Sequence, residues 1–295
     1  MEYLRATDIA SSWGVSARSV RNYCAQGRVP GAVLQGKTWM IPADAPKPER
    51  TNPRRSRGLL PVLRAEKDAG VHGGIYHRTQ IDLAYNSNHI EGSTLTHEQT
   101  RHIFETHTVG LGPDEVLRVD DIVEAVNHFR AFDYVLGHTS GRLTTRFVKE
   151  LHRLLKSGTS DAATDWFRVG DWKTFPNEVG GKETVAPEEV DNRIRELLVS
   201  YEGLEAHDLD ALLDFHVRFE RIHPFQDGNG RVGRLLLFKE CLRWSIVPFV
   251  ITDEMKLFYY RGLARWGEEQ GWLRDTCLTA QDAYKELLDK FQIVY

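Results

Sequence analysis

The sequence predicts a mainly α-helical protein with a small basic domain at its N-terminus. Apolar residues recur at spacings of three and four through much of the chain, which is the period of amphipathic helices. Residues 32–42 and 166–189 break that period with short extended runs that suggest two hairpins. The 295 residues allow two domains. We therefore expect a small domain at residues 1–45, a linker at 46–61 and a helical domain at 62–295.

The composition is that of a soluble protein, with 41% apolar and 27% charged residues. No apolar run approaches the roughly 18 residues of a membrane span, and the N-terminus lacks the apolar segment of a signal peptide. We therefore expect no membrane partner and a cytoplasmic location. The three cysteines, Cys24, Cys241 and Cys277, have no metal-binding or disulfide spacing, and we expect them to fill the core.

Charge is divided unevenly along the chain. Residues 1–60 contain ten Lys and Arg against four Asp and Glu, a charge of +6, whereas the whole chain has a net charge of −4. The remainder therefore carries −10. Because residues 1–60 are basic and the remainder is acidic, we expect an anionic partner for residues 1–60 only.

The N-terminal domain has the pattern of a helix-turn-helix. Residues 7–10 open a short helix, Gly14 lies in a turn, and Ser16 caps a second helix. Residues 32–42 follow as a hairpin that turns at Gln35 and Gly36. The pattern predicts a small winged helix-turn-helix.

This segment resembles the winged helix-turn-helix domains of the MerR and excisionase type. The resemblance implies that the second helix enters the major groove of duplex DNA. The candidate DNA contacts are the polar residues of that helix: Ser16, Arg18, Ser19 and Arg21. A helix-turn-helix used only for protein contacts is the alternative, because the basic excess is modest.

The linker at 46–61 is rich in proline and basic residues and has no apolar period. It contains the basic cluster from Arg54 to Arg57. We interpret it as an extended segment. Two uses stay open, either following a phosphate backbone or acting as a solvated tether without a partner.

A helix is predicted at about residues 80–92. Apolar residues seven positions apart place a stripe on one side, and Gly92 is a natural end. Ser87 and Glu91 lie four residues apart and share a face near that end. The helix dipole disfavours a carboxylate there, so we expect Glu91 to have a partner.

Further helices are expected to form a scaffold. The stretch from Thr96 to Gln99 fits a capping box for a helix that ends at about Thr106. Three histidines on predicted helices have no second ligand at metal spacing, so we interpret them as packing or surface residues: His128, His152 and His216. Extended runs at 167–173 and 183–185 then flank a glycine-rich turn and predict a hairpin.

The stretch from His223 to Arg234 reads His-Pro-Phe-Gln-Asp-Gly-Asn-Gly-Arg-Val-Gly-Arg and predicts an anion-binding loop between two helices. Pro224 ends the first helix, and Gly228 and Gly230 let the backbone turn with N–H groups pointing inward. A helix N-terminus reached through glycines binds anions well. No Gly-Lys-Ser/Thr follows the glycines, so the loop is not a Walker P-loop.

The side chains of this loop suit attack on a phosphate. His223 can be neutral near pH 7 and can accept the proton of a hydroxyl. Asp227 can supply one hard oxygen ligand to Mg²⁺. Arg231 and Arg234, three residues apart, can both reach back toward the loop and neutralise charge. The residues together predict a phosphoryl-type transfer.

His-Pro-Phe-x-Asp-Gly-Asn-Gly-Arg-x-x-Arg is the signature of the Fic family, which the chain resembles over about residues 75–290. The resemblance implies a Fic-type helical core with a β-hairpin flap. It also implies transfer of AMP from ATP to a Tyr, Thr or Ser hydroxyl of a target protein. His223 would deprotonate the hydroxyl, and Asp227 would hold Mg²⁺. The other implied site residues bind the nucleotide phosphates: Gly228, Asn229, Gly230, Arg231 and Arg234.

Two further features follow from the same resemblance. Ser87 and Glu91 match the Ser-x-x-x-Glu-Gly pattern of the Fic inhibitory helix, in the version that precedes the core. The glutamate of that helix pairs with the second signature arginine, here Arg234, and blocks productive seating of the ATP γ-phosphate. Gly230 stands where the related Doc proteins, whose activity resembles that of kinases, usually have lysine.

The resemblance also covers the predicted hairpin and the region after the motif. At the position of the predicted hairpin, Fic proteins have a flap that pairs with an extended segment of the target. Residues 165–168 read Asp-Trp-Phe-Arg where family members often have Gly-x-Tyr-Arg, which leaves the target type open. An aromatic residue after the motif often faces the adenine, so Tyr259 and Tyr260 are candidates, with core packing as the alternative.

Two classes of function stay open. The leading hypothesis is a regulated protein adenylyltransferase with a DNA-binding module. Its rival is a transcription regulator whose Fic part only senses a nucleotide. A variant of the enzyme hypothesis is removal of AMP, with Glu91 as a base for water. The oligomeric state also stays open, with a homodimer as one option.

Overall fold

The computed structural model describes residues 3–25, 27–36, 38–48 and 58–295. The chain divides into two compact units, one within residues 1–55 and one within 56–295. Most of the predicted linker, including the basic cluster at 54–57, lies outside the described residues.

The first unit is a three-stranded antiparallel sheet with two helices. Its elements are β1 (Tyr3–Arg5), α1 (Ala6–Trp13), α2 (Ala17–Ala25), β2 (Val33–Gln35) and β3 (Thr38–Pro42). The strand order is β1-β3-β2, with Leu4 opposite Ile41 and Leu34 opposite Trp39. The two predicted helices and the hairpin at 32–42 are present, whereas β1 was not predicted.

A small apolar core holds this first unit together. Ile9 and Val20 bring the two helices together over Ile41 of β3, and all three are buried. Gly14 ends α1 with a φ of 63°, a left-handed conformation that glycine adopts at low cost. The polar side of α2 stays exposed at Arg18 and Arg21.

The second unit is helical apart from one short hairpin. Its elements are α3 (Leu59–Asp68), α4 (Ile75–Ile90), α5 (His97–Thr106), α6 (Val119–Gly137), α7 (Thr145–Lys156), β4 (Glu178–Val179), β5 (Lys182–Glu183), α8 (Val190–Glu202), α9 (Leu209–Ile222), α10 (Asn229–Arg243), α11 (Lys256–Arg265) and α12 (Gly271–Lys290). Helix α3 begins at Leu59, within the predicted linker, because Leu59 and Leu63 are buried in the core.

Helix α10 is the centre of this second unit. Every residue from 231 to 242 is buried, which is the pattern of a helix covered on all sides. Helices α4, α6, α7 and α9 surround it. The N-terminus of α10, where the motif loop (residues 223–228) ends, is therefore held by several elements at once.

Helix α4 is longer than the predicted helix at 80–92. It begins at Ile75, because Ile75 and Tyr76 are buried in the core. It ends at Ile90, and Gly92 follows with a φ of 97°. Glu91 therefore occupies the C-cap position.

The hairpin is shorter than the sequence predicts. Strands β4 and β5 have two residues each and are joined by Gly180 and Gly181, both with positive φ. The run at 167–173 does not form a strand of this hairpin. Its aromatic residues Phe167 and Trp172 are buried instead.

The cysteines are distributed over both units. Cys24 lies in the first unit, and Cys241 and Cys277 lie in the second, and all three are buried and free. None of the helices that the structure describes is long and apolar enough to cross a membrane.

Candidate active site

The motif loop joins the end of α9 to the start of α10. His223 terminates α9 with φ 52° and ψ 62°, and Gly228 caps α10 with φ 81°. The Asn229 side chain closes the loop, since Phe225 N donates to its Oδ1 (2.8 Å) and its Nδ2 donates to Phe225 O (2.8 Å). The Asn229 side chain thus shapes the loop, and the first-turn N–H groups of α10 are left for an anion.

His223 has the properties of a neutral base. Burial lowers the pKa of its imidazole, and the charge of Lys173 lowers it further. Its Nδ1 lies 3.3 Å from the carbonyl oxygen of Glu220. A hydrogen on Nδ1 can be donated to that oxygen, which leaves the Nε2 lone pair to accept a proton. The left-handed backbone of His223 is uncommon for a residue other than glycine.

Asp227 is ionised in this site. Its Oδ2 lies 2.6 Å from Lys156 Nζ and 2.8 Å from Arg231 Nη2. Burial raises the pKa of the carboxyl, but the charges of Arg231 and Lys156 outweigh it, and the pKa falls well below its usual range. The side chain keeps 46% of its surface exposed.

A single exposed carboxylate fits the role of one magnesium ligand, with substrate phosphates and waters completing the shell. Among the described residues, no group of three or more His, Cys, Asp or Glu is arranged to hold a metal ion by itself. Asp227 would therefore hold Mg²⁺ only together with the nucleotide.

The two arginines of the motif contact different elements. Arg231 is buried and pairs with Asp227 and with Glu124 of α6. Arg234 is buried as well and points to α4. The sequence placed both side chains toward the loop, and the structure places Arg231 there and directs Arg234 to the C-terminal end of α4.

Arg234 binds both polar residues of that helix end. Its Nη2 lies 2.7 Å from Glu91 Oε1 and donates to the Ser87 carbonyl oxygen at 2.8 Å, while its Nε donates to Ser87 Oγ at 3.0 Å. Burial lowers the pKa of the guanidinium, but Glu91 outweighs it and raises the pKa above its ordinary value.

The Glu91 carboxylate also lies directly over the first turn of α10. A Cβ built on Gly230 would stand only 2.2 Å from Glu91 Oε1. A side chain at position 230 would therefore have to displace this carboxylate, which is the flexible end of Glu91. Glu91 thus places its negative charge at the helix end that suits an anion.

Comparison with known proteins shows a family similarity in the region that contains this site. Residues 142–240 match the model of the Fic/DOC family. The second unit therefore contains a segment that is similar to the Fic/DOC family. Protein adenylyltransferase Fic from Nematostella vectensis is 28% identical over 214 residues, which are 70% of this chain and 45% of the relative. The protein of the same name from Aedes aegypti is 27% identical over 209 residues, 68% of this chain and 38% of the relative. The chain thus spans less than half the length of these relatives.

Solved structures share the fold. A Fic domain containing signaling protein from Bacteroides thetaiotaomicron superposes with a TM-score of 0.62 at 22% identity and covers 79% of this chain and 95% of that chain. Fic-1 from C. elegans gives a TM-score of 0.61 at 20% identity, with 79% and 72% covered. The predicted mainly α, Fic-type fold is confirmed.

The second unit holds its hairpin against the motif loop. Lys173 N donates to Pro224 O (2.9 Å), Lys173 Nζ donates to Asn177 Oδ1 (2.7 Å), and Asn177 Nδ2 donates to Phe225 O (3.0 Å). Burial lowers the pKa of Lys173 to about 8. The base of the hairpin is therefore fixed beside His223.

The three histidines of the second unit that were expected to pack or face solvent are all buried. His152 stacks on Phe225 with ring centroids 3.9 Å apart, accepts a hydrogen bond at Nδ1 from Gly170 N (2.9 Å), and has its Nε2 3.2 Å from Asp227 O. Burial lowers the pKa of each of these histidines to about 3: His128, His152 and His216. They are packing residues, and His152 also shapes the motif loop.

The aromatic candidates after the motif differ in position. Tyr259 is buried, and its hydroxyl lies 2.6 Å from His216 Nε2, so it belongs to the core. Tyr260 keeps 40% of its surface exposed. Only Tyr260 remains a candidate for stacking on a base.

Sequence reasoning missed several charged residues near the motif. Lys156 and Glu124 come from α7 and α6 and were not selected, because neither belongs to a local pattern. Glu220 lies one turn before His223, and its Oε1 is buried with no hydrogen-bond partner among the described residues. Burial raises the pKa of Glu220 to about 8. Its position three residues before His223 was the available signal.

Proposed function

We propose that this chain is a protein adenylyltransferase. It transfers AMP from ATP to the hydroxyl of a Tyr, Thr or Ser residue on a target protein, and Glu91 restrains it by pairing with Arg234. The observation that carries the proposal is that one loop brings the neutral imidazole of His223 to the N-terminus of α10, which suits an anion. The second motif arginine, Arg234, is paired with the Glu91 carboxylate. Fic relatives named protein adenylyltransferase support it.

The proposed reaction uses the residues in distinct roles. The target hydroxyl gives its proton to Nε2 of His223 as its oxygen bonds to the α-phosphorus of ATP. The bond from that phosphorus to the bridging oxygen breaks, and pyrophosphate leaves. The backbone amides at Gly228 to Gly230 and the Arg231 guanidinium stabilise the charge on the phosphates. Asp227 would hold a Mg²⁺ ion that arrives with ATP, and this ion would neutralise phosphate charge.

The proposed restraint is a competition for one guanidinium. Arg234 cannot bind the Glu91 carboxylate and the ATP γ-phosphate with the same N–H groups. A charge-assisted hydrogen bond of this kind contributes about 1.5 to 3 kcal/mol when it is shielded, which corresponds to a roughly ten- to hundredfold shift in the productive ATP pose. Glu91 lies at the C-cap of α4, so a small change in that helix end would separate its carboxylate from the arginine.

The decisive experiment compares three proteins with labelled ATP and a cell lysate. Glu91→Gly should raise AMP incorporation over the wild type by about ten- to a hundredfold. Adding His223→Ala to Glu91→Gly should remove the gain while nucleotide binding persists. An unchanged rate in Glu91→Gly would contradict the restraint, and a rate unaffected by His223→Ala would contradict the role of the base.

Removal of AMP is the second outcome that this experiment can reveal. Glu91 keeps 27% of its side chain exposed, so its carboxylate can also reach a water molecule. If Glu91→Gly lowers activity, and the wild type releases AMP from a modified protein, Glu91 acts in the chemistry. The carboxylate would then activate water for hydrolysis of the phosphodiester bond.

For the first unit, we propose binding to duplex DNA through α2. The observation is the exposed polar face of that helix, where Arg18 and Arg21 extend beside Ser16 and Ser19. A regulator that uses the Fic domain only as a nucleotide sensor would show the DNA binding without AMP transfer.

A further inference from the structure

Lys156, the last residue of α7, places its ammonium group among three carboxylates. Its Nζ lies 2.6 Å from Asp227 Oδ2, 2.7 Å from Glu124 Oε1 and 3.3 Å from Asp161 Oδ2. The side chain is only 2% exposed. A buried ammonium needs such partners, because leaving water is costly for an unpaired charge.

Arg231 completes this charged cluster. It contacts two of the same three carboxylates, those of Asp227 and Glu124. The cluster thus contains three negative and two positive groups, and the two cations share Asp227 Oδ2.

We infer that the Lys156 ammonium occupies the cation position on Asp227, so that a divalent ion arriving with ATP must compete with this lysine for the carboxylate. The inference rests on the proposed function, which assigns the divalent ion to Asp227. It adds a positioning residue outside the motif, on α7.

The geometry provides the ammonium with an alternative when the metal arrives. Glu124 and Asp161 remain within reach of Nζ if Asp227 turns toward a metal ion. Lys156 can therefore stay paired with a carboxylate in both states. The competition then concerns one carboxylate and does not require the lysine to leave the protein interior.

The test removes the ammonium and measures metal binding without nucleotide. In Lys156→Met, the three carboxylates would face a space that a cation filled before. Acidic oxygens suit Mn²⁺, and affinity rises with the number of ligand charges. Free Mn²⁺ measured by electron paramagnetic resonance should show one site with at least about tenfold higher affinity than in the wild type.

Two controls make the result specific. Lys149→Met removes a lysine from the same helix whose Nζ pairs with Asp171 at 2.6 Å, and it should leave Mn²⁺ binding at the wild-type level. Lys156→Arg keeps a positive charge and should also show no gain. A gain in either control would overturn the inference.

Lys156→Gln covers the case in which the methionine variant does not fold, because glutamine keeps hydrogen-bond donors for the carboxylates. If both variants unfold, Mn²⁺ should restore folding, as measured by circular dichroism. A folded Met or Gln variant with wild-type Mn²⁺ affinity, or unfolded variants that Mn²⁺ does not restore, would overturn the inference. The readout needs no AMP transfer, so failure of the proposed function would be recognised separately.

Discussion

Arg234 donates two hydrogen bonds to Ser87, one from Nε to the hydroxyl oxygen at 3.0 Å and one from Nη2 to the carbonyl oxygen at 2.8 Å. Ser87 holds the guanidinium on α4 through its hydroxyl and its backbone carbonyl, neither of which carries a net charge. Ser87 and Glu91 therefore act on the same group from one helix face.

Ser87→Ala should weaken the restraint less than Glu91→Gly does. The lost bond is a hydroxyl contact of about 1 kcal/mol, so AMP transfer should rise by roughly fivefold. The two substitutions should not be additive, because they share Arg234. Initial rates of AMP incorporation in the two single variants and the double variant measure this. A slower Ser87→Ala variant would mean that Ser87 prepares Arg234 for the phosphate.

The pH dependence of transfer should reflect the lowered pKa of His223. Burial favours the neutral imidazole, so the acid limb of kcat/KM should lie below pH 6.5 and the rate should be level at pH 7. His223→Ala should lower transfer by about 10² to 10⁴-fold and lose that limb. Rates measured in Glu91→Gly between pH 5 and 8 provide the profile. A limb above pH 7 would contradict a neutral base.

Glu220 should make stability depend on pH. Folding binds a proton to its carboxyl between the ordinary pKa of 4.5 and the raised pKa of about 8. Its contribution is fully present below pH 4.5 and is lost as the pH rises through 8, with a slope of at most about 1.4 kcal/mol per pH unit. Glu220→Gln should remove this part of the slope. Urea unfolding of both proteins at pH 5 and pH 8.5 tests the difference, and parallel pH profiles would refute it.

DNA binding by the first unit should depend on Arg18 and Arg21. In the full chain, Arg18→Ala with Arg21→Ala should reduce the slope of log affinity against log salt by about 2, since each phosphate contact contributes about 0.9. The matched control is Arg193→Ala with Arg195→Ala, which removes two exposed arginines from α8. Titration of duplex DNA from the region upstream of the gene measures the slopes. Equal loss in both variants would favour a protein-contact role for α2.

Local patterns were sufficient to predict much of the helical unit. The capping box from Thr96 to Gln99 is confirmed at the start of α5, because both halves of the box lie within one turn. Helix α9, before the motif, follows the three- and four-residue spacing, whereas α10, after it, is buried on all sides. Gly92 ends α4 for the reason the sequence indicates, a positive φ that glycine adopts easily.

Long-range contacts and short strands could not be predicted in this way. Strand β1 has three residues and pairs with β3, so it has too little alternation to detect. Lys156 meets Asp227 across 71 positions of sequence. The aromatic run near Phe167 and Trp172 was interpreted as a strand, whereas these rings pack around His152 and Phe225, with Trp172 at 5.2 Å from Phe225. The roles of the candidate site residues stay predictions.

The three free cysteines are buried, so their labelling can report when each of the two units opens. Burial raises the pKa of the Cys24 thiol in the first unit and of the Cys241 and Cys277 thiols in the second. Alkylating reagents attack the exposed thiolate, so each thiol is labelled only while its surroundings are open. A short pulse of reagent followed by peptide mass spectrometry therefore times the opening of the two units separately, in one sample, with the two units still joined during the labelling.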